Sequence, residues 1–394
     1  MAQEVSAIDI LAAADAIAQA QGRVESLLEN LISSGKLPPS LIFAGPEGSG
    51  KELMAVKLAA KLNCEGGGAG GPAAAGAGGE TNGGNIDAAS RSCRIGHRCA
   101  ACAAVRTLEH PDVHIIFPVP HGEMENDLPV VLASRREDFF ASGEFRNRAR
   151  SIGIDLVRRV TEILSKQPFE GRRTVVAFFE AHLATIEAQN ALLKLLEEPP
   201  PSAAIMLVTE FPDRLLPTIL SRCYEIRFDP LPLEAIAGFL KEFYSVEREE
   251  ARRLAALAQG NLRRGIHLLE ERFLALWKDS AAVVGLVIDG KAKELLGEAE
   301  GLAMKYTREE AGELLEETAI MFGLILRHRD GRLGEAERGV LETVLGREKL
   351  AAASRMDLVA GIRKIFYSIG SLRRNADVEL TLSQVFLDLT GKWY

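Results

Sequence analysis

The chain has little cysteine, no excess of positive charge and no long apolar run, and each shortage excludes something. Five cysteines in 394 residues cannot make a disulfide scaffold, so a reducing compartment is expected, with thiols free or bound to metal. The net charge of −8 gives no global basic character of the kind that marks a nucleic-acid binder. No apolar stretch reaches the roughly 18 residues of a membrane span. The first residues lack a basic segment followed by an apolar core, so no signal peptide is read and a cytoplasmic location is expected. Tryptophan occurs only twice, as Trp277 and Trp393, and both read as packing residues. What is present is ordinary for a globular protein with a full core: 47% apolar and 26% charged residues, in a length that suggests two to three domains.

The most informative stretch is Leu41-Ile42-Phe43-Ala44-Gly45-Pro46-Glu47-Gly48-Ser49-Gly50-Lys51-Glu52. An apolar strand runs into a glycine-rich loop and then into a helix-prone segment, the setting of a phosphate-binding loop. Gly45, Gly48 and Gly50 let backbone N–H groups converge on phosphate oxygens, and Lys51 would reach the outer phosphates. The next position usually carries Ser or Thr as a magnesium ligand; here it is Glu52, whose charge repels phosphate. Two readings stay open: a loop that still binds nucleotide, and a disused loop kept for packing.

Residues 5–34 read as one helix stopped by Gly35 and Pro38-Pro39. Residues 65–90 are a Gly/Ala-rich insertion with few large apolar groups, expected to be flexible. Around it lie Cys64, Cys93, Cys99 and Cys102, spaced C-x28-C-x5-C-x2-C. The last pair has zinc-ligand spacing, and four thiolates, or three with His97, would make a closed structural site. The competing reading is four unrelated thiols. His110-Pro111-Asp112 reads as a turn leading into a strand at 113–117, with His110 a turn residue and His114 a strand residue rather than metal ligands. Residues 118–150 look like an irregular charged excursion. Between Arg135 and Arg173 stand ten Lys/Arg against six acids, either a DNA-backbone face or a solvated surface. Phe139, Phe140, Phe145 and Phe169 are either buried or free to stack on bases.

Apolar strands at 173–179 and 204–209 and a shorter one at 224–228, with helices at 152–166, 187–198 and 213–220, imply a parallel sheet sandwiched by helices. At the end of the 173–179 strand, where nucleotide hydrolases carry a metal-ligating Asp, stands Phe179, with Glu180 beside it. Both usual magnesium positions are therefore altered. After Pro232 strand signals cease: helices are read at 233–245, 247–258 and 261–277, and the remainder is helical with breaks at Asp330-Gly331 and near Gly346.

Several segments occur together and in order: the glycine-rich loop, the cysteine cluster, His110-Pro111-Asp112, Ile154-Asp155-Leu156-Val157-Arg158, Asn190 through Glu197-Glu198-Pro199-Pro200, Leu215 through Ser221-Arg222-Cys223, and Gly260-Asn261-Leu262-Arg263. In this the chain resembles the AAA+ subunits of the bacterial DNA polymerase III clamp loader, most of all the delta-prime type, over roughly residues 20–277. The resemblance implies an α/β AAA+ P-loop domain at 1–230, a helical lid at 231–282 and a helical collar at 283–394. It implies that Arg222 is an arginine finger given in trans to a neighbour's ATP site. It implies that Thr209 and Arg263 belong to the chain's own nucleotide site with Gly45, Gly48, Gly50 and Lys51, and that Cys64, Cys93, Cys99 and Cys102 hold a structural zinc. ATP or ADP binding is left open and magnesium is not expected. The implied partners are gamma/tau and delta-type subunits and, through the complex, the sliding clamp and primer-template DNA, with no membrane. Cys93 departs from the family's x2 spacing to Cys99, and both insertions exceed the usual links. The implied role is a ring subunit that supports ATP-driven clamp loading without hydrolysing ATP. The alternatives are an ATP-hydrolysing gamma/tau-type subunit and a zinc-dependent DNA-binding module outside replication.

Overall fold

The computed structural model describes residues 8–65, 99–120, 124–140, 150–353 and 358–390. Among them are seven strands: β1 (Ser40–Ala44), β2 (Val113–Ile116), β3 (Val119–Pro120), β4 (Arg150–Ser151), β5 (Thr174–Phe178), β6 (Ala203–Thr209) and β7 (Tyr224–Arg227). Five form one parallel sheet in the order β2-β5-β6-β1-β7. Every residue of β1, β5 and β6 is buried. Hence their sequences are continuous apolar runs with no alternation, as strands covered on both faces require. This is the expected fold class: a parallel sheet with flanking helices, followed by a helical region. β3 and β4 form a separate two-residue antiparallel pair.

The helices are α1 (Ile10–Ala20), α2 (Gly22–Ser33), α3 (Lys51–Asn63), α4 (Ala100–Arg106), α5 (Met124–Glu137), α6 (Ile154–Leu164), α7 (Ile186–Glu197), α8 (Pro217–Leu220), α9 (Leu233–Tyr244), α10 (Arg248–Ala258) and α11 (Leu262–His267). Then follow α12 (Glu271–Ile288), α13 (Ala292–Lys305), α14 (Arg308–Arg329), α15 (Glu335–Leu345), α16 (Arg347–Ala353), α17 (Leu358–Arg373) and α18 (Val378–Thr390). Contacts divide the chain into two compact units: Met1–Val246 with Gln259–Arg263, and Glu247–Ala258 with Arg264–Tyr394.

In the first unit, the single helix expected at 5–34 is broken at Gln21. The Gln21 amide donates to the carbonyls of Ser49 (3.1 Å) and Asp229 (2.6 Å); it tethers the start of the chain to the phosphate-type loop and to the end of the sheet. The 118–150 excursion, expected to be irregular, contains α5. The Asp112 carboxylate accepts from the amides of Phe169 (2.6 Å), Glu170 (2.9 Å) and Gly171 (2.6 Å). Asn63 Oδ1 accepts from those of Arg172 and Arg173, each at 3.0 Å. His110 Nδ1 accepts the Asp112 amide at 3.1 Å. The His110-Pro111-Asp112 motif is thus a turn that organises the loop leading into β5.

The second unit is helical. α14 packs on α12 and α17, and α13 packs on α18. Leu314, Leu315, Met321, Phe322, Phe386 and Leu389 are among its buried residues. α14 begins with a capping box in which Thr307 and Glu310 bond each other's backbone N–H. Arg264 pairs with Glu317 and lies 5.8 Å from the Trp277 ring centroid, so Trp277 is a packing residue. No described helix is long and apolar enough to cross a membrane.

Candidate nucleotide-type site

The loop after β1 is shaped by glycine where the backbone turns left-handed. Gly48 has φ +65° and Gly50 φ +86°, and a Cβ would meet Asn261 Oδ1 at 1.9 Å in the first and Ile17 Cγ2 at 2.2 Å in the second. Neither position tolerates a side chain. The Gly45 amide donates to the Thr209 carbonyl at 3.3 Å, and the Leu262 amide to the Gly48 carbonyl at 3.0 Å. The loop is therefore bound at both ends, to the tip of β6 and to the start of α11.

Gly48, Gly50, Lys51, Thr209 and Arg263 line one cavity, and Gly45 lies in the adjoining loop. The buried Lys51 ammonium donates to the carbonyls of Gly45 (2.8 Å) and Pro46 (2.6 Å) and to Ser49 Oγ (3.3 Å). Burial lowers its pKa, against the opposing pull of Glu210, Glu52 and Glu47.

Glu52, at the first altered magnesium position, lies 2.8 Å from Arg263 Nη2 and 3.9 Å from Arg135 Nη1. Burial pushes its pKa up, but Arg263, Arg135 and Lys51 together pull it below the usual carboxylate range. It is a charged, paired carboxylate. Phe179, at the second altered position, is fully buried; its ring packs edge-on against Phe117 (5.2 Å) and Phe139 (6.5 Å). Glu180 faces Arg150 at 3.4 Å. Thr209 Oγ1 accepts the Phe211 amide at 3.1 Å and lies 3.2 Å from His182 Nδ1. Burial, with the charges of Arg214 and Lys51, lowers the His182 pKa to about 4, so the ring is neutral at pH 7. Burial and the charge of Glu47 push the Glu210 carboxyl up to about 7, against the opposing pull of Lys51.

Arg135, Phe139, Phe140 and Arg150 also line this cavity, and motif reading did not single them out as site residues. A carboxylate inside a phosphate-type loop demands a cation, which is a usable signal. It does not say which of many arginines answers.

Arg222 lies outside this cavity. It follows α8, donates to the Thr218 carbonyl (3.0 Å) and pairs with Glu197 at 2.7 Å, with about a third of its side chain exposed. The neighbouring Cys223 thiol is pushed up to about 12 by burial.

Cys64, Cys99 and Cys102 come together, all buried, with their sulfurs within 4.8 Å of one another. Cys64 Sγ lies 3.9 Å from Cys99 Sγ, which accepts the Cys102 amide at 3.5 Å. Tetrahedral zinc with Zn–S of about 2.3 Å sets its sulfurs roughly 3.8 Å apart, so the donor set fits that ion. Cys93 and His97 lie outside the described residues.

A family model described as DNA polymerase III, delta subunit, matches residues 85–232. The chain is 29% identical over 222 residues to "DNA polymerase III subunit delta'" of Bacillus subtilis, covering 56% of this chain and 51% of that one. It is 31% identical over 225 residues to the same-named subunit of Pseudomonas aeruginosa, covering 56% and 52%. It is 26% identical over 256 residues to "DNA polymerase III subunit gamma/tau" of Mycoplasma genitalium, covering 64% and 34%. The matches thus span about a third to a half of these relatives' lengths.

Proposed function

We propose that this chain is a clamp-loader subunit of the DNA polymerase III family, a delta-prime-like ring member that does not hydrolyse ATP and lends Arg222 to a neighbour, a reading supported by the family match and the similarity to these relatives. The observation that carries this reading is the Glu52 carboxylate held 2.8 Å from Arg263 and 3.9 Å from Arg135. A magnesium–triphosphate would need a neutral hydroxyl and an acid at these positions. The residues offered are an arginine-bound glutamate and a buried Phe179. The gamma/tau-type alternative has Glu52 and Glu180 share the metal, yet each carboxylate already faces an arginine.

On this reading residues 1–230 form the AAA+ domain, 231–282 the lid and 283–394 the collar. The partners are gamma/tau and delta-type subunits and, through the assembly, the sliding clamp and primer-template DNA, in the cytoplasm. Cys64, Cys99 and Cys102, with Cys93 as fourth ligand, hold a structural zinc that ties α4 to the end of α3. The guanidinium of Arg222 spreads its donors over a planar fork suited to charge developing on transferring phosphoryl oxygens. Its half-exposed pair with Glu197 is of the weak, solvent-screened kind, so the side chain is free to exchange partners. The test is a reconstituted loader containing Arg222→Ala. Its DNA-stimulated ATPase should fall at least about tenfold, since trans arginines supply larger factors, while the variant melts like the parent. An unchanged rate would refute the role.

A further inference from the structure

The cavity beside Lys51 is walled in part by Arg135, Phe139, Phe140 and Arg150. Its volume is about 130 Å³, well below the roughly 300–1,000 Å³ of ligand pockets. Arg135, buried, donates to the Phe139 carbonyl, lies 5.1 Å from the Phe117 ring centroid and faces Glu52 at 3.9 Å. Phe139 packs edge-on against Phe179 and Phe140 against Phe239, with centroids 6.5 and 5.8 Å apart. At the other end of the excursion Arg150 faces Glu180. Four cations line the cavity (Lys51, Arg135, Arg150 and Arg263), and four carboxylates line it with them (Glu47, Glu52, Glu180 and Glu210). Cations and carboxylates are paired here, Glu52 with Arg263 and Arg135, and Glu180 with Arg150.

We infer that the segment bearing Arg135, Phe139 and Phe140 is an intramolecular competitor of a nucleoside triphosphate, taking up volume that the ligand needs. The inference rests on reading the site as a nucleotide pocket no longer used for hydrolysis, and it assigns the excursion a task. Three aromatic contacts and two ion pairs, Arg135 with Glu52 and Arg136 with Glu109, hold the segment in place, so a triphosphate must first displace it. The inference has a sign that simple electrostatics reverses. Deleting a cation from a phosphate site weakens the attraction for an anion. If Arg135 instead pins an occupant, deleting it favours nucleotide, because the competing state loses its anchor.

The experiment measures binding of a fluorescent ATP analogue with magnesium to the full chain, by anisotropy. Arg135→Ala should bind at least about tenfold tighter than the parent, and Arg135→Lys should fall between them. Equal or weaker binding by Arg135→Ala overturns the inference. If that variant does not fold, the unaltered chain supplies the readout: trypsin cleavage after the exposed Arg136 should accelerate in excess MgATP as the segment is displaced. Equal cleavage rates with and without MgATP overturn it. Phosphate release by the lone parent chain would contradict the non-hydrolysing reading instead, so the two failures are distinguishable.

Discussion

At the residue scale, the position where a phosphate-type loop usually carries a hydroxyl holds a salt-bridged carboxylate. Glu52 takes the place of a hydroxyl and carries its own counter-charges, Arg263 and Arg135. Such a carboxylate cannot be deleted without leaving two guanidiniums facing each other in a partly dry pocket. Glu210 is the opposite case. Burial and Glu47 raise its carboxyl to about 7, so the folded protein holds that proton more tightly than the unfolded chain, whose Glu titrates near 4.3. Stability should therefore be lost as pH rises from about 4.3 to 7. Glu210→Gln should remove that loss, being more stable than the parent by about 1–3 kcal/mol at pH 8 and matching it near pH 4.3. Urea melts at both values check the sign, and an equal difference at both would contradict it.

At the element scale, two loops are set by polar clamps. Three amides on the Asp112 carboxylate hold the turn before β5. Burial raises the Asp112 pKa, but the amide bonds outweigh it and keep the group below its ordinary value. Its contribution is present above about pH 4 and is lost as pH falls through the folded pKa. Asp112→Ala should cost about 2–4 kcal/mol in urea unfolding at pH 7, from three orphaned donors, and the cost should shrink at acid pH. The second device is the cysteine cluster. Metal analysis of the purified chain should find one zinc per chain, and Cys99→Ser should lose the metal and lower the melting temperature. Substoichiometric metal in the carefully handled parent would count against the site.

The elements differ in how far they could be read. The buried strands β1, β5 and β6 were legible because a strand covered on both faces must be apolar throughout. The Gln21 break was not, since its cause is a pair of acceptors far along the chain, Ser49 and Asp229. α5 was missed because 118–150 read as an irregular charged excursion, and a helix with an internal proline, Pro129, owes its place to tertiary contacts. Within the site, Lys51 was legible from the glycine-rich loop, whereas Thr209 and Arg263 came only from the family resemblance; all three line one cavity. Arg135 was not, because one arginine among ten Lys/Arg in that stretch carries no mark of its destination.

At the scale of the whole molecule, the proposed function is that of a nucleotide-type domain whose own pocket is lined by paired charges and whose Arg222, outside that pocket, is offered to a neighbour. That proposal is a division of labour, with the fold and the loop kept for geometry and the chemistry done by a neighbour. It therefore stands or falls with the purified chain by itself. Incubated with ATP and magnesium, with no other subunit present, it should release no more phosphate than its Lys51→Ala variant. Steady turnover that disappears on Lys51→Ala would contradict the account.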